Sequence, residues 1–250
     1  MNNLVQYAVL IIVGMLAGVI NTLAGGGSLL TLPVLIFMGL PPNVANATNR
    51  IGIAFQALIG TAGYQSKGVS NFPFNIYLGI SALLGSLIGA QIAVDIRGET
   101  FNKLLAIIMI FVVAVIVFKP KLSTIQLPER LTGKYLFYSI IGFFFIGIYG
   151  GFINAGIGFI IILFLNNVNH LSLIKTNATK VSLVFIYTCG ALSLFAYHGT
   201  VDWLTGFVLA IGTSIGAWWS SRWSVDKGEG VIKIAMVIMV SLMSIKLWFF

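Results

Sequence analysis

The sequence predicts an all-α protein that forms a polytopic bundle of transmembrane helices. Hydrophobic residues make up 58% of the 250 residues and charged residues only 8%, whereas roughly a quarter of a soluble domain is charged. A chain with so few charged side chains cannot cover itself with a polar surface, so its apolar surface must face lipid. Long apolar stretches, separated by the charged residues, indicate the same fold class.

The charged residues lie where membrane spans require them. The six acidic residues fall between the apolar stretches or at their ends, as expected when a charge in hydrocarbon is costly; they are Asp95, Glu99, Glu129, Asp202, Asp226 and Glu229. The net charge of +8 comes from Lys and Arg residues spread singly along the chain. This spacing argues against a basic groove for nucleic acid and is typical of residues that flank spans.

Eight stretches are long enough to be spans, since crossing the hydrocarbon takes roughly 20 mostly apolar residues. They are approximately Leu4–Leu23, Val44–Tyr64, Pro73–Val94, Phe101–Phe118, Lys134–Ile153, Lys175–Tyr197, Trp203–Ser221 and Val231–Trp248. Two more apolar stretches, Ser28–Leu40 and Phe159–Val168, have the length of re-entrant elements or half-helices. We therefore expect about eight long spans plus two short elements, each short element following a glycine cluster.

Two internally repeated halves are predicted on either side of the longest polar stretch. Residues 1–118 form the first membrane repeat, 119–133 a polar linker loop, and 134–250 the second repeat. At an offset of 133, Gly14, Gly18, Ile20, Asn21 and Gly25 align with Gly147, Gly151, Ile153, Asn154 and Gly158. At an offset of 131, Asn46-Ala47-Thr48 aligns with Asn177-Ala178-Thr179. Interruptions at matching positions of two repeats are typical of secondary transporters, which bind substrate where the interruptions meet.

The relative direction of the repeats depends on the two short elements. If these elements are re-entrant, each half has four spans and the repeats are parallel. If they cross the membrane, each half has five crossings and the repeats are inverted. The shortness of both elements favours the re-entrant arrangement.

The first interruption is a candidate anion site. Gly25, Gly26 and Gly27 end a helix and free backbone N–H groups, and Ser28 suits the N-cap of the helix that follows. Freed amides and a helix N-terminus carry partial positive charge, so they bind an anion without a basic side chain. Further hydrogen bonds are expected from Asn21 and Thr31, and a less polar equivalent from the second interruption, with Asn154, Gly156 and Gly158. The alternative is that the glycines only permit close helix packing, which is the role expected of Gly14, Gly18, Gly147 and Gly151.

A second set of candidates lies in the first turns of two long spans. It comprises Asn46, Thr48, Asn49 and Arg50, with Asn177, Thr179 and Lys180 in the second half. Arg50 and Lys180 lie about 9 Å inside their spans, at roughly 1.5 Å per residue. Either they line an anion path or they snorkel to the headgroups. The neighbouring Asn and Thr residues favour the path, because three polar neighbours are costly on a lipid-facing surface.

Nothing in the sequence predicts an enzyme, a cofactor or a metal site. It contains no Ser/His/Asp set, no HExxH and no P-loop, and Cys189 is a single cysteine inside an apolar stretch. Both histidines, His170 and His198, fall in connections between spans. An intramembrane enzyme or a membrane scaffold is therefore a weaker alternative than a transporter, and an anion channel is the nearer one.

Three segments resemble the TauE/SafE family, also called the sulfite exporter or toluene-sulfonate uptake permease family. They are GVINTLAGGGSLLTLPVLIFMGLPPNVANATN in the first half, and GGFINAGIGF and IKTNATK in the second. The resemblance implies a multi-pass carrier with a duplicated four-span unit, linked to sulfite, sulfonates and related organic anions. We expect a secondary transporter in a cell membrane, the inner membrane of a bacterium. Its expected partners are a small anion and lipid but no nucleic acid, and a homo-oligomer is compatible with the sequence.

Overall fold

A computed structural model of the chain describes residues 3–96 and 127–228, together with Thr100, Lys103, Leu104, Ile107, Gly230 and Ile234. This described part contains eight helices and no strand, which confirms the all-α class. The helices are α1 Asn3–Leu23, α2 Ser28–Phe37, α3 Pro42–Gln65, α4 Phe74–Asp95, α5 Gly133–Phe152, α6 Ile157–Val168, α7 Leu173–Tyr197 and α8 Trp203–Lys227. Apart from isolated positions, the predicted spans Phe101–Phe118 and Val231–Trp248 and the linker up to residue 126 lie outside the described residues.

Four of these helices, α1, α4, α5 and α7, are long and apolar enough to cross a membrane. The other two long helices, α3 and α8, have 24 and 25 residues but carry more polar side chains. In α3 these include Asn46, Asn49, Arg50 and Gln56, all of which are buried inside the bundle. A count of eight long spans goes beyond these four helices and stays a prediction, as does the duplication.

Glycines bring α1 against α8 and α5 against α4 with their backbones in contact. A Cβ added at Gly18 would overlap with the carbonyl oxygen of Thr213, and one added at Gly151 would overlap with that of Ser86. Helices in membranes pack through small residues of this kind, because lipid provides no hydrophobic driving force between helices. The packing role predicted for Gly14, Gly18, Gly147 and Gly151 is confirmed.

The two short helices return the chain across the bundle. Leu35 near the end of α2 packs with Leu10 of α1 and with Ala45 near the start of α3. In the second half, Asn169 just after α6 exchanges hydrogen bonds of 2.9 and 3.1 Å with Ser139 near the start of α5. Helix α3 therefore starts at the same end of the bundle as α1, and α7 starts at the same end as α5.

This order differs from the re-entrant arrangement, which would place the start of α3 at the opposite end from the start of α1. It agrees with the five-element alternative, in which the halves are inverted. Indeed α3 and α7 run antiparallel, since Tyr64 packs against Ala178 while Gly60 faces Val181. The argument from helix length failed because non-helical residues 24–27, which are buried inside the bundle, lengthen the path of the short element.

The backbone contact between α1 and α8 gives a test with a matched control. A methyl group at Gly216 would overlap with the carbonyl oxygen of Met15, whereas one at Gly60 would lie 3.6 Å from the nearest atom of Val181. We expect Gly216→Ala to lower the free energy of unfolding by roughly 1–3 kcal/mol through overpacking. Gly60→Ala should raise it by about 0.5–1 kcal/mol, since Ala loses less entropy in a helix than Gly. Denaturation of both variants in the same detergent measures the difference, and a loss of stability in Gly60→Ala would contradict this account of the packing.

Candidate functional site

The two interruptions, one after α1 and one after α5, meet in the interior of the bundle. Gly25 and Gly158 pack backbone to backbone, and a Cβ on either one would overlap with the other. Each interruption contains a left-handed residue, Gly25 with φ of +90° and Gly156 with φ of +72°. Glycine adopts this conformation without the steric cost of a side chain. The expected meeting of the interruptions is therefore observed.

Side chains of α7 cap the last three carbonyl groups of α1. Lys180 Nζ donates to the carbonyl oxygens of Asn21 and Thr22, both at 2.9 Å. Asn177 Nδ2 donates to the carbonyl oxygen of Leu23 at 3.0 Å. These carbonyls have no partner within their own helix, and the negative end of a helix dipole favours a cation.

Side chains of α3 cap the last three carbonyl groups of α5 in the same way. Arg50 Nη1 donates to the carbonyl oxygen of Gly150, and its Nη2 donates to that of Gly151 at 2.8 Å. Asn46 Nδ2 donates to the carbonyl oxygen of Phe152 at 3.0 Å. Because Arg50 is fully buried and Lys180 is only 2% exposed, neither cation snorkels. Each one instead reaches the broken helix of the other half.

Two residues that the sequence interpretation missed hold the interruptions from within their own half. Gln56 of α3 accepts a hydrogen bond from Asn21 Nδ2 and donates one to Thr22 Oγ1 at 3.2 Å. Tyr187 of α7 donates to Asn154 Oδ1 at 2.7 Å. A signal for both was present, because Gln56 is an amide in the middle of a predicted span and the offset of 131 aligns it with Tyr187.

A first, small cavity lies where the interruptions meet. Its lining comprises Asn21, Gln56, Asn154, Ile157, Gly158, Lys180, Val181 and Val184. Both halves contribute to it, and the lining combines one cation with three side-chain amides. We call it the Lys180 cavity.

A second, small cavity lies at the start of α2, and we call it the Ser28 cavity. Its lining comprises Ala17, Asn21, Gly27, Ser28, Thr31, Asn49, Ile53, Gln56 and Thr213. Thr31 donates to Asn49 Oδ1 at 2.7 Å, while the buried Ser28 Oγ and Asn49 Nδ2 have no hydrogen-bond partner among the described residues. Because Asn21 and Gln56 line both cavities, this hydrogen-bonded pair forms the wall between them.

The prediction that Ser28 is the N-cap of α2 is wrong. Gly27 occupies that position with helical dihedral angles, and Ser28 is the first residue of α2. An N-cap residue needs an extended backbone for its side chain to reach the amides of the first turn. The hydroxyl of Ser28 is therefore left to face the cavity.

The predicted site residues thus divide by position. Eight of them line a cavity: Asn21, Gly27, Ser28, Thr31, Asn49, Asn154, Gly158 and Lys180. Seven others hold the fold around it, by turning the backbone, capping a broken helix or bonding a neighbouring segment: Gly25, Asn46, Thr48, Arg50, Gly156, Asn177 and Thr179. Gly26 is buried within the first interruption.

Two basic side chains lie buried in the interior around the interruptions. The hydrogen-bond partners of Lys180 and Arg50 are carbonyl and amide oxygens, and neither cation bonds a carboxylate among the described residues. A helix C-terminus offers about half a negative charge, so the two caps neutralise only part of the two cations. No group of three or more His, Cys, Asp or Glu that would suit a metal occurs in the described ranges.

The capping of α5 predicts a large stability difference between two cation substitutions. Arg50→Met removes the hydrogen-bond donors of the buried carbonyl groups of Gly150 and Gly151, which should cost at least about 3 kcal/mol. Lys67→Met removes a surface ion pair with Asp226, for which about 1 kcal/mol or less is expected. Thermal unfolding of both proteins in detergent compares the two. Equal melting temperatures would show that the cap contributes little.

Comparisons with known proteins identify the family of the chain. The family model described as "Sulfite exporter TauE/SafE" matches residues 10–247. A "Probable membrane transporter protein" of Haemophilus influenzae is 30% identical over 240 residues, which cover 96% of this chain and 93% of that protein. The "Probable membrane transporter protein YfcA" of Escherichia coli K12 is 32% identical over 242 residues, covering 96% and 88%. No solved structure matches the chain. The chain belongs to the TauE/SafE family of membrane transporters.

Proposed function

We infer that the protein is a secondary transporter of a small anion, namely sulfite, a sulfonate or a related organic anion, which binds where the two interruptions meet. The observation that carries this proposal is the pair of buried basic side chains, Lys180 and Arg50, which bond no carboxylate among the described residues. Lys180 lines a cavity that no described carboxylate borders, and an ion of negative charge is the ligand that such a site attracts most strongly.

The lining of the Lys180 cavity suits an oxyanion. The same lining contains the side-chain amides of Asn21, Gln56 and Asn154. Each NH₂ group has two hydrogen-bond donors, of which Asn21 and Gln56 use one on a neighbouring side chain. An oxyanion with several oxygens accepts from several such donors at once, and bonds that involve a charged partner are shorter and stronger than neutral ones. Val181, Val184 and Ile157 in the same lining suit the apolar part of an organic anion.

The Ser28 cavity offers a second place for the anion on the same path. Ser28 Oγ and Asn49 Nδ2 face it without partners among the described residues, and an unsatisfied buried donor is costly unless a ligand or water accepts from it. The N-terminus of α2 adds partial positive charge. Transfer of an anion between the two cavities requires movement of Asn21 or Gln56, which separate them.

The family and the relatives support the same proposal. The matching family is described as a sulfite exporter, and the relatives are named as membrane transporters. Inverted halves with broken helices at matching positions are the architecture on which secondary transporters bind substrate near the bilayer midplane. A carrier of this type alternates between states in which the site opens to one side.

Flux through proteoliposomes tests the function. We expect labelled sulfite or methanesulfonate to enter with saturable kinetics and to show counterflow against unlabelled substrate, because a carrier binds each ion before moving it. Flux that rises linearly with concentration and shows no counterflow would identify an anion channel instead. No flux of any anion would refute the proposal.

The contact between the interruptions gives a matched test of the site. Gly25 and Gly39 both have positive φ, +90° and +98°. A Cβ at Gly39 meets nothing within 4 Å, but a Cβ at Gly25 overlaps with the backbone at Gly158. Both alanine variants carry about 1–2 kcal/mol of backbone strain, so only Gly25→Ala should also displace the second interruption and lose at least about tenfold in transport rate. Equal rates for the two variants, at equal amounts in the membrane, would exclude a role for this contact.

A further inference from the structure

The two capping cations are related by position but differ in their surroundings. Lys180 lines one of the two cavities described above, whereas Arg50 lines neither. The guanidinium group of Arg50 instead lies 5.5 Å from the ring centroid of Phe195 and between carbonyl groups of α5. An anion in the Lys180 cavity therefore meets the cap of α1 and not the cap of α5.

The ammonium group of Lys180 has no donor to spare. It donates to the carbonyl oxygens of Asn21 and Thr22, both at 2.9 Å, and to Asn177 Oδ1 at 2.7 Å. A lysine carries three N–H donors and no more. A new hydrogen bond to a ligand must therefore replace one of these three.

Replacing a carbonyl partner of Lys180 by an anion is favourable. An ammonium group bonds an anion more strongly than it bonds a neutral carbonyl oxygen, and the flexible four-carbon stem of lysine lets the charge move between nearby acceptors. Asn177 stands one turn before Lys180 on α7, so this partner moves together with the lysine. The carbonyl groups of Asn21 and Thr22 belong to the end of α1. A shift of the ammonium group toward the cavity therefore breaks its hydrogen bonds to them.

We propose that an anion entering the cavity draws Lys180 away from the carbonyl oxygens of Asn21 and Thr22, so that substrate binding uncaps the end of α1 and frees the first interruption to move. This inference rests on the proposed function, since it assumes that the cavity takes an anion. The end of α5 stays capped by Arg50, and the two interruptions therefore respond unequally.

Uncapping also acts on the wall between the cavities. The side chain of Asn21 forms that wall with Gln56, and the carbonyl group of the same residue is held by Lys180. Once the carbonyl is released, Asn21 is held beyond α1 by the hydrogen bonds of its side chain, to Gln56 and to the amide of Gly27, the latter at 3.4 Å. Occupancy of the Lys180 cavity thus loosens the residue that closes the route to the Ser28 cavity.

Hydrogen exchange of the full-length protein, with and without methanesulfonate, tests the proposal. The amides of Ala24 and Gly25 both bond the carbonyl oxygen of Ile20 at the end of α1. Saturating methanesulfonate should speed exchange in a peptide that covers residues 21–27 by about tenfold, the effect of losing one hydrogen bond to a charged group. The matching peptide at residues 150–156, where Ile153 bonds Tyr149, is the internal control and should not change.

The outcomes separate this proposal from the proposed function. If calorimetry shows methanesulfonate binding while exchange at residues 21–27 is unchanged or slowed, the uncapping is refuted and the anion site stands. Equal acceleration of both peptides also refutes it, because that result indicates general loosening. If methanesulfonate, sulfite and sulfate all fail to bind, the anion site is refuted and the uncapping with it.

A charge-preserving substitution provides a second test. Arginine has five N–H donors, so in Lys180→Arg the side chain has enough donors to hold the anion and the carbonyl groups of α1 together. We expect this variant to bind methanesulfonate but to lose the anion-dependent change in exchange and at least about tenfold in transport rate. Lys175→Arg, on the same helix in an ion pair with Glu129, is the matched control and should behave as the unmodified protein. An anion-dependent change that persists in Lys180→Arg would overturn the proposal.

Discussion

The structure depends on the hydrogen bonds that satisfy carbonyl groups where helices end inside the bundle. Water caps the last turn of a helix in a soluble protein, but it is not available at membrane depth, where each unsatisfied group costs several kcal/mol. Helices α1 and α5 both end inside the bundle, at Leu23 and Phe152. Their last three carbonyl groups accept hydrogen bonds from one asparagine and one cation on a long helix of the other half. The cations are therefore part of what holds the two halves together.

These caps place basic side chains in the interior as a consequence of its architecture. A helix that stops at membrane depth needs strong donors, and Lys and Arg supply several from one side chain. Helix ends neutralise only part of that charge. The region between the interruptions therefore contains basic side chains without a dedicated cluster of basic residues. In this arrangement, the groups that stabilise the broken helices also define the chemistry of the cavity between them.

The sequence interpretation found most of the residues around the cavities but assigned several of them different roles. Asn46, Asn177 and Arg50 lie at the interruptions as expected, yet they bond the backbone of broken helices rather than lining a cavity. Gln56 and Tyr187 were missed, because a single polar residue within an apolar stretch does not show which neighbour it meets. The direction of the halves was also misjudged, since helix length does not include the buried residues 24–27.

The sequence alone determined that the chain is a bundle of membrane helices, that two glycine-containing interruptions occupy matching positions, and that asparagines and cations follow them. These properties depend on composition, spacing and local backbone preference, which are recorded along the chain. Only the tertiary structure decided that each cation caps the helix of the opposite half, that Gly25 touches Gly158, and that Lys180 lines one of the two described cavities while Arg50 lines neither. These are contacts between residues more than 100 positions apart. Their geometry follows from how the helices pack, which a one-dimensional pattern does not contain.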